Sequence, residues 1–217
     1  MRDYEAPNTK LKIVLAAGEL FAEHGFDGVT TRSIARKAEI TLGSLHYHFK
    51  SKNELYLETI QYIADKKEHK EIDDYLAEDP DILNRPQDIS NMICRNIKDH
   101  FYHAMVQSNP EWGPKLIHRE AIMPSAGWRI FHEKLLKPFH ENYFKIFRHL
   151  NSQATDNEAH FWVFIVQSQM AMHCLFKHAT AEIVGPENVT EDFYAEMAYR
   201  TAQTMTSYLG LPDPIIK

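Results

Sequence analysis

Two cysteines in 217 residues, Cys94 and Cys174, lie far apart with no second thiol near either. That spacing excludes a disulfide framework and a CxxC metal knuckle, and leaves two buried thiols as the expectation. No apolar run approaches the roughly 20 residues that cross a bilayer. The opening MRDYEAPNTK lacks the apolar segment that follows the basic end of a signal peptide, so a cytoplasmic location with no membrane partner is expected. Alternating strand patterns and Asn-Gly hairpin signals are missing, as are internal repeats and low-complexity tracts. A nucleophile elbow, a phosphate loop and an HExxH helix are missing too, which weighs against the common hydrolase and nucleotidase chemistries.

What is present is ordinary for a globular chain, 44% hydrophobic and 25% charged. The net charge of −6 conceals an asymmetry. Residues 1–52 hold eight Lys/Arg against six Asp/Glu, whereas the rest hold sixteen against twenty-four. A basic head on an acidic body fits a protein that touches nucleic acid locally rather than coating it.

Proline, glycine and capping residues divide the chain into helices, and the fold class expected is all-α. A first helix starts near Asn8 or Thr9, places Leu11, Val14, Leu15, Gly18, Phe21 and Ala22 on one face, and stops at Gly25, which can take the left-handed conformation a helix end requires. Thr30 caps a second helix with Ile34, Ala35 and Ala38 inward, and Thr41 caps a third that runs to about His48. Ser51 and Glu54 form a capping-box pattern that opens a fourth. The Asp/Pro/Asn-rich segment from Glu78 to Pro86 reads as a surface loop, followed by a helix to about Ser108 and a stretch interrupted by Pro110, Gly113, Pro114 and Pro124. Further helices are expected over 125–150, from Thr155 to about Ile183, and from Thr190 to just before Gly210.

Two helices of two turns joined by a short turn have the dimensions of a helix-turn-helix, in which the second helix enters the major groove. On the third helix Leu45 and Phe49 fall on one face, against Ile34, Ala38 and Phe21; Ser44, Tyr47 and His48 fall on the other, with His46 between packing and groove. Gly43 lets backbone approach a phosphate or base edge, Leu42 can touch a thymine methyl, and Thr41 opens the helix. Thr30, Thr31 and Arg32 stand at the start of the second helix, and Lys52 adds a cation at the start of the fourth. The candidate DNA-binding residues are therefore Thr30, Thr31, Arg32, Thr41, Leu42, Gly43, Ser44, His46, Tyr47, His48 and Lys52, the helix termini positioning and the third helix reading bases.

The strings LFAEHGFDGVTTRSIARKA and TLGSLHYHFKSKNEL resemble the DNA-binding domain of the TetR family of transcription regulators over about residues 9–60. The resemblance implies a DNA-binding domain over 1–53, built as a three-helix helix-turn-helix, joined to a larger helical effector-binding and dimerisation domain over 54–217. It implies DNA contact at Thr31, Thr41, Gly43, Ser44, Tyr47, His48 and Lys52. Glu39 departs from the pattern, standing where a Gly commonly closes the second helix, at an expected cost of up to about 1 kcal/mol; Leu42 stands where a small, basic or polar residue is frequent. The stretch IHREAIMPSAGWRIFHEKLLKPFHENYFKIF loosely resembles a CerR-type C-terminal domain, with an Arg-Glu pair ahead of a Pro and a long helix.

In the body, Phe101, Met105, Trp112, Trp128, Phe131, Phe164 and Met172 are candidates for an apolar pocket that takes a small-molecule inducer. The last two helices carry Phe161, Phe164, Ile165, Met172, Leu175 and Phe176, then Phe193, Met197 and Met205, a surplus that points to pairing with a second copy. A homodimer would hold two recognition helices about 34 Å apart on a palindromic operator. Of thirteen histidines, His100 with His103 and His173 with His178 are the pairs a metal hypothesis would use; spacing yields no third ligand, so neither metal nor cofactor is expected. The leading expectation is a dimeric repressor released by an inducer. The alternative is a helical, metal-assisted enzyme with a vestigial helix-turn-helix.

Overall fold

The computed structural model describes residues 9–66 and 70–215, with the side chains of His173 and Cys174 outside that description, as is the Asn8 start considered for the first helix. Every described element is helical: α1 (Thr9–His24), α2 (Thr31–Lys37), α3 (Leu42–His48), α4 (Lys52–Asp65), α5 (Ile72–Glu78), α6 (Pro86–Met105), α7 (Gly113–Ile122), α8 (Trp128–Phe131), α9 (Lys137–Leu150), α10 (Asp156–Leu175), α11 (Lys177–Val184) and α12 (Glu191–Tyr208). No described helix is long and apolar enough to cross a membrane.

The caps form as the sequence requires. Thr30, Thr41, Ser51, Thr155 and Thr190 each accept a backbone N–H from three residues on. Gly25 closes α1 at φ 72° and Phe26 folds back to stack on Phe21, with ring centroids 6.0 Å apart. Glu54 reaches one residue further than a capping box does and accepts from the N–H of Lys50 at 2.8 Å.

Four stretches depart from expectation. The prolines read as interruptions around 110–124 bracket a helix: Pro114 lies in the first turn of α7, where its missing N–H has no partner to lose, and Pro124 follows its end. The helix expected over 125–150 contains a π-helical turn at His132–Leu136. Pro138 explains it, because its ring crowds the carbonyl of Lys134 and offers that carbonyl no N–H. The helix expected from Thr155 to Ile183 breaks at Phe176, where no Gly or Pro signals a stop; beside the break Lys177 donates to the carbonyl of Met105 at 2.7 Å, a tertiary contact. Between Glu78 and Pro86 a 3-10 turn, Ile82–Asn84, buries Ile82, and Arg85 pairs with Asp79 and Asp88.

The described residues pack as two compact units, those within 1–66 and 109–135 and those within 67–108 and 136–217. In the first unit the core joins Ile13, Phe21, Ile34, Leu45, Phe49, Leu55, Tyr56 and Ile60 to Leu116 of α7. Trp112 stands directly over Gly18 of α1, where a Cβ would overlap its ring. Within this unit α4 packs on α1, and α7 and α8 cover α1 and α4. In the second unit α12 lies along α6, and Ile89, Ile93, Ile97, Phe101, Tyr143, Trp162, Ala198, Ala202 and Met205 form one core.

Candidate nucleic-acid interface

Short helices are marginal alone, so α2 and α3, seven residues each, depend on caps and on one buried face. Thr30 and Ser33 cap α2 reciprocally, each accepting the other's N–H at 3.1 Å. Thr41 Oγ1 accepts the N–H of Ser44 at 3.1 Å. Leu45 and Phe49 are 0% and 1% exposed and anchor α3 to Phe21 and Ile34 in the core. The opposite face is thereby turned outward: Thr41, Gly43, His46 and Tyr47 are exposed, and Ser44 and His48 half-buried. Tyr47 is 86% exposed and meets His48 edge-on at 5.2 Å. Nothing in the described chain demands a glycine at position 43, whose nearest neighbour to a Cβ is Thr41 Oγ1 at 3.9 Å.

Arg32 is exposed and Thr31 half-buried at the start of α2, and Leu42 leans partly on the core. Lys52 is the exception among the eleven. Its ammonium turns inward, donating to the carbonyls of Phe26 and Val29 at 2.9 and 3.0 Å and lying 4.2 Å from the centre of the Phe26 ring. In this arrangement the ammonium is taken up by carbonyls of the α1–α2 segment.

The turn between α2 and α3 has Glu39 at the close of the second helix, the position where the family resemblance expects a glycine. Ile40 N–H reaches the carbonyl of Ala35 at 3.0 Å and Glu39 N–H that of Arg36 at 3.2 Å, the paired bonds of a Schellman helix end. Glu39 occupies its left-handed position at φ 55°, the one described non-glycine residue with positive φ.

A buried polar latch backs the head. Glu120 of α7, 1% exposed, accepts the hydroxyls of Tyr56 and Ser125 and the N–H of Ser125 at 3.0 Å. Burial, then the bond to Glu120, raises the Tyr56 phenol above its ordinary range. The neighbouring Arg119 puts its guanidinium against Gly25, filling the space a Cβ there would need. The Arg-Glu pair was legible as a sequence string; its partners were not.

The seven residues expected to line an effector pocket are divided between the two units. Phe101 and Met105 are buried on α6 in the second unit, whereas Trp112, Trp128 and Phe131 belong to the first. Trp112 packs on Gly18, and Trp128 stacks on His132 with its edge toward Phe131. Phe164 and Met172 are 57% and 49% exposed on one face of α10. That face also shows Phe161, Ile165, Leu175 and Phe176. The apolar residues of α12 behave differently: Met205 is buried and Met197 packs on the core, because α12 spends that side on the second unit's own core.

Among the described residues no three His, Cys, Asp or Glu side chains group as metal ligands. His100 sits 3.7 Å from Glu71, and His178 lies 3.2 Å from Glu182; the side chain of His173 is outside the description.

The family described as "Bacterial regulatory proteins, tetR family" matches residues 13–59, the span of α1 to α4. The domain described as "HTH-type transcriptional dual regulator CecR, C-terminal domain" matches residues 93–210, more than half of the chain. The chain belongs to the TetR family. Its C-terminal likeness is to CecR, which replaces the CerR label. The CecR regulator of Shigella flexneri is 28% identical over 139 residues, 61% of this chain and 60% of that protein. QacR of Staphylococcus aureus is 43% identical over 53 residues, 24% of this chain and 28% of its own length. The chain thus aligns with less than two thirds of either relative. AibR, solved with isovaleryl coenzyme A and operator DNA, superposes with a TM-score of 0.59 at 14% identity, covering 96% of this chain and all of that one, and so shares the fold. The family is one of transcription regulators and not of enzymes.

Proposed function

We propose that the chain is a ligand-responsive repressor that binds a palindromic operator as a homodimer and is released by a small-molecule inducer. The observation that carries the reading is the outward face of α3. Tyr47 is 86% exposed on a short helix capped at Thr41 and anchored by Leu45 and Phe49, so it is held out from the surface without a structural duty. Thr30, Thr31 and Arg32 position the backbone, and Thr41, Leu42, Gly43, Ser44, His46, Tyr47 and His48 meet the groove. The DNA contacts lie within residues 1–53, and residues 54–217 supply effector binding and dimerisation, with the protein acting in the cytoplasm.

Dimerisation runs through the last helices of the fold, chiefly the stripe of Phe161, Phe164, Ile165, Met172 and Phe176 on α10, which a soluble monomer would leave wet. One structural neighbour, AibR, is solved with both operator DNA and isovaleryl coenzyme A, which supports an inducer of some kind; its class is left open. Linkage gives the mechanism: an inducer that favours a dimer unable to span successive grooves weakens operator binding by the same factor that operator weakens inducer binding.

Selection of genomic fragments by the purified protein tests the reading. The expected product is a two-fold symmetric site whose binding is lost in Tyr47→Ala while the circular dichroism spectrum stays unchanged. Recovery of no fragment, or full affinity in the variant, would refute it.

A further inference from the structure

The cations of the head fall into two kinds. The ammonium of Lys52 has three N–H groups, and two carbonyls and a ring face surround it: Phe26 O, Val29 O and the Phe26 ring. Those acceptors belong to the segment between α1 and α2, so the side chain ties the start of α4 to that segment. Lys50 stands two positions earlier in extended chain, between Phe49 (φ −136°, ψ 119°) and Ser51 (φ −149°, ψ 159°). Side chains alternate along extended backbone; Phe49 is buried, and Lys50 is exposed. Glu54 holds the backbone N–H of Lys50, not its ammonium, which has no acceptor among the described residues. Arg32 and Arg36, exposed one turn apart on α2, are likewise without an acid partner there, whereas Lys37 pairs with Glu19 at 2.5 Å and Lys10 with Glu58.

We infer that Lys52 is a positioning residue, locking the α1–α2 segment onto α4, and that Lys50 supplies the phosphate cation of this loop. The inference rests on the operator reading above. Lys52 then affects DNA binding only through the angle at which α2 and α3 are held.

Salt dependence separates the two roles, because each phosphate neutralised steepens the slope of log K against log salt by about 0.9. Operator affinity is measured across a salt series for wild type, Lys50→Gln and Lys52→Gln, using the duplex recovered by selection, with thermal unfolding in parallel. Lys50→Gln should flatten the slope by about 0.9 and leave the melting temperature unchanged. Lys52→Gln should keep the wild-type slope and melt lower. A flattened slope in Lys52→Gln, or an unchanged one in Lys50→Gln, overturns the assignment. A Lys52→Gln protein that does not fold leaves the question to acetylation of the wild type, where Lys50 should react fast when free and be shielded by the duplex, and Lys52 should react slowly in both states. Equal reactivity with shielding of both lysines overturns the assignment. Wild type without salt-dependent binding refutes the operator reading itself, and the assignment with it.

Discussion

Replacing Glu39 by glycine should stabilise the protein. At φ 55° its Cβ crowds the following carbonyl, a strain of roughly 1–2 kcal/mol that glycine does not incur. Glycine in turn loosens the unfolded chain, giving back about 0.4–1 kcal/mol. The net gain is centred on about 0.8 kcal/mol, since both Schellman hydrogen bonds, Ile40 to Ala35 and Glu39 to Arg36, use backbone only and survive the change. For a chain of this size such a gain raises the melting temperature by about 1–4 °C. Urea unfolding followed by circular dichroism reads it directly. Glu39→Asn should recover part of the gain, because Asn tolerates the left-handed region, and Glu39→Ala should recover none, because it keeps the Cβ. A gain in Glu39→Ala equal to that in Glu39→Gly would show that the charge and not the backbone was responsible; a loss in Glu39→Gly would refute the strain altogether.

Tyr56→Phe should destabilise by about 1–3 kcal/mol, because Glu120 stays buried with one donor fewer. The phenol's raised folded pKa means that its contribution is fully present below the ordinary value of 10.0 and is lost as pH rises beyond it; melting temperatures on the alkaline side should therefore fall more steeply in wild type than in Tyr56→Phe. Gly18→Ala sets helix propensity against packing: alanine would gain up to about 1 kcal/mol in an open helix, but its Cβ overlaps the Trp112 ring, so a net loss of about 1–3 kcal/mol is expected in denaturant titration. Phe161→Glu combined with Phe164→Glu should convert the proposed dimer to monomer in analytical ultracentrifugation while leaving the second unit's core intact, since Trp162, Val163 and Val166 lie on the other side of α10. An undiminished dimer would remove α10 from the interface.

The head was legible because its signals are local. A hydroxyl three residues before a free N–H, a glycine where a helix must end, and apolar residues four apart each act within one turn, so Thr30, Thr41, Ser51, Gly25, Leu45 and Phe49 could be placed from the string alone. The body was less legible for the opposite reason. Apolar residues on a helix declare that they will be covered, not by what. Met205 and Phe164 look alike in sequence, yet α12 turns Met205 into the core and α10 leaves Phe164 outside. Prolines 114 and 124 mark ends, and whether a helix lies between two such marks depends on whether neighbours bury one of its faces, as Leu116 is buried in the first unit's core.

Local chemistry along the chain therefore determined the all-helical class, the capped α2–α3 pair and the outward face of α3, because those features depend on neighbours within one or two turns. Tertiary structure alone decided that Lys52 spends its ammonium on two backbone carbonyls, that Glu120 receives Tyr56 from 64 positions away, and that residues 109–135 pack with α1–α4. Each of these turns on which groups come to share a dry or half-dry space, and a hydrogen-bonding or charged group finds its partner only once the fold has brought distant segments together.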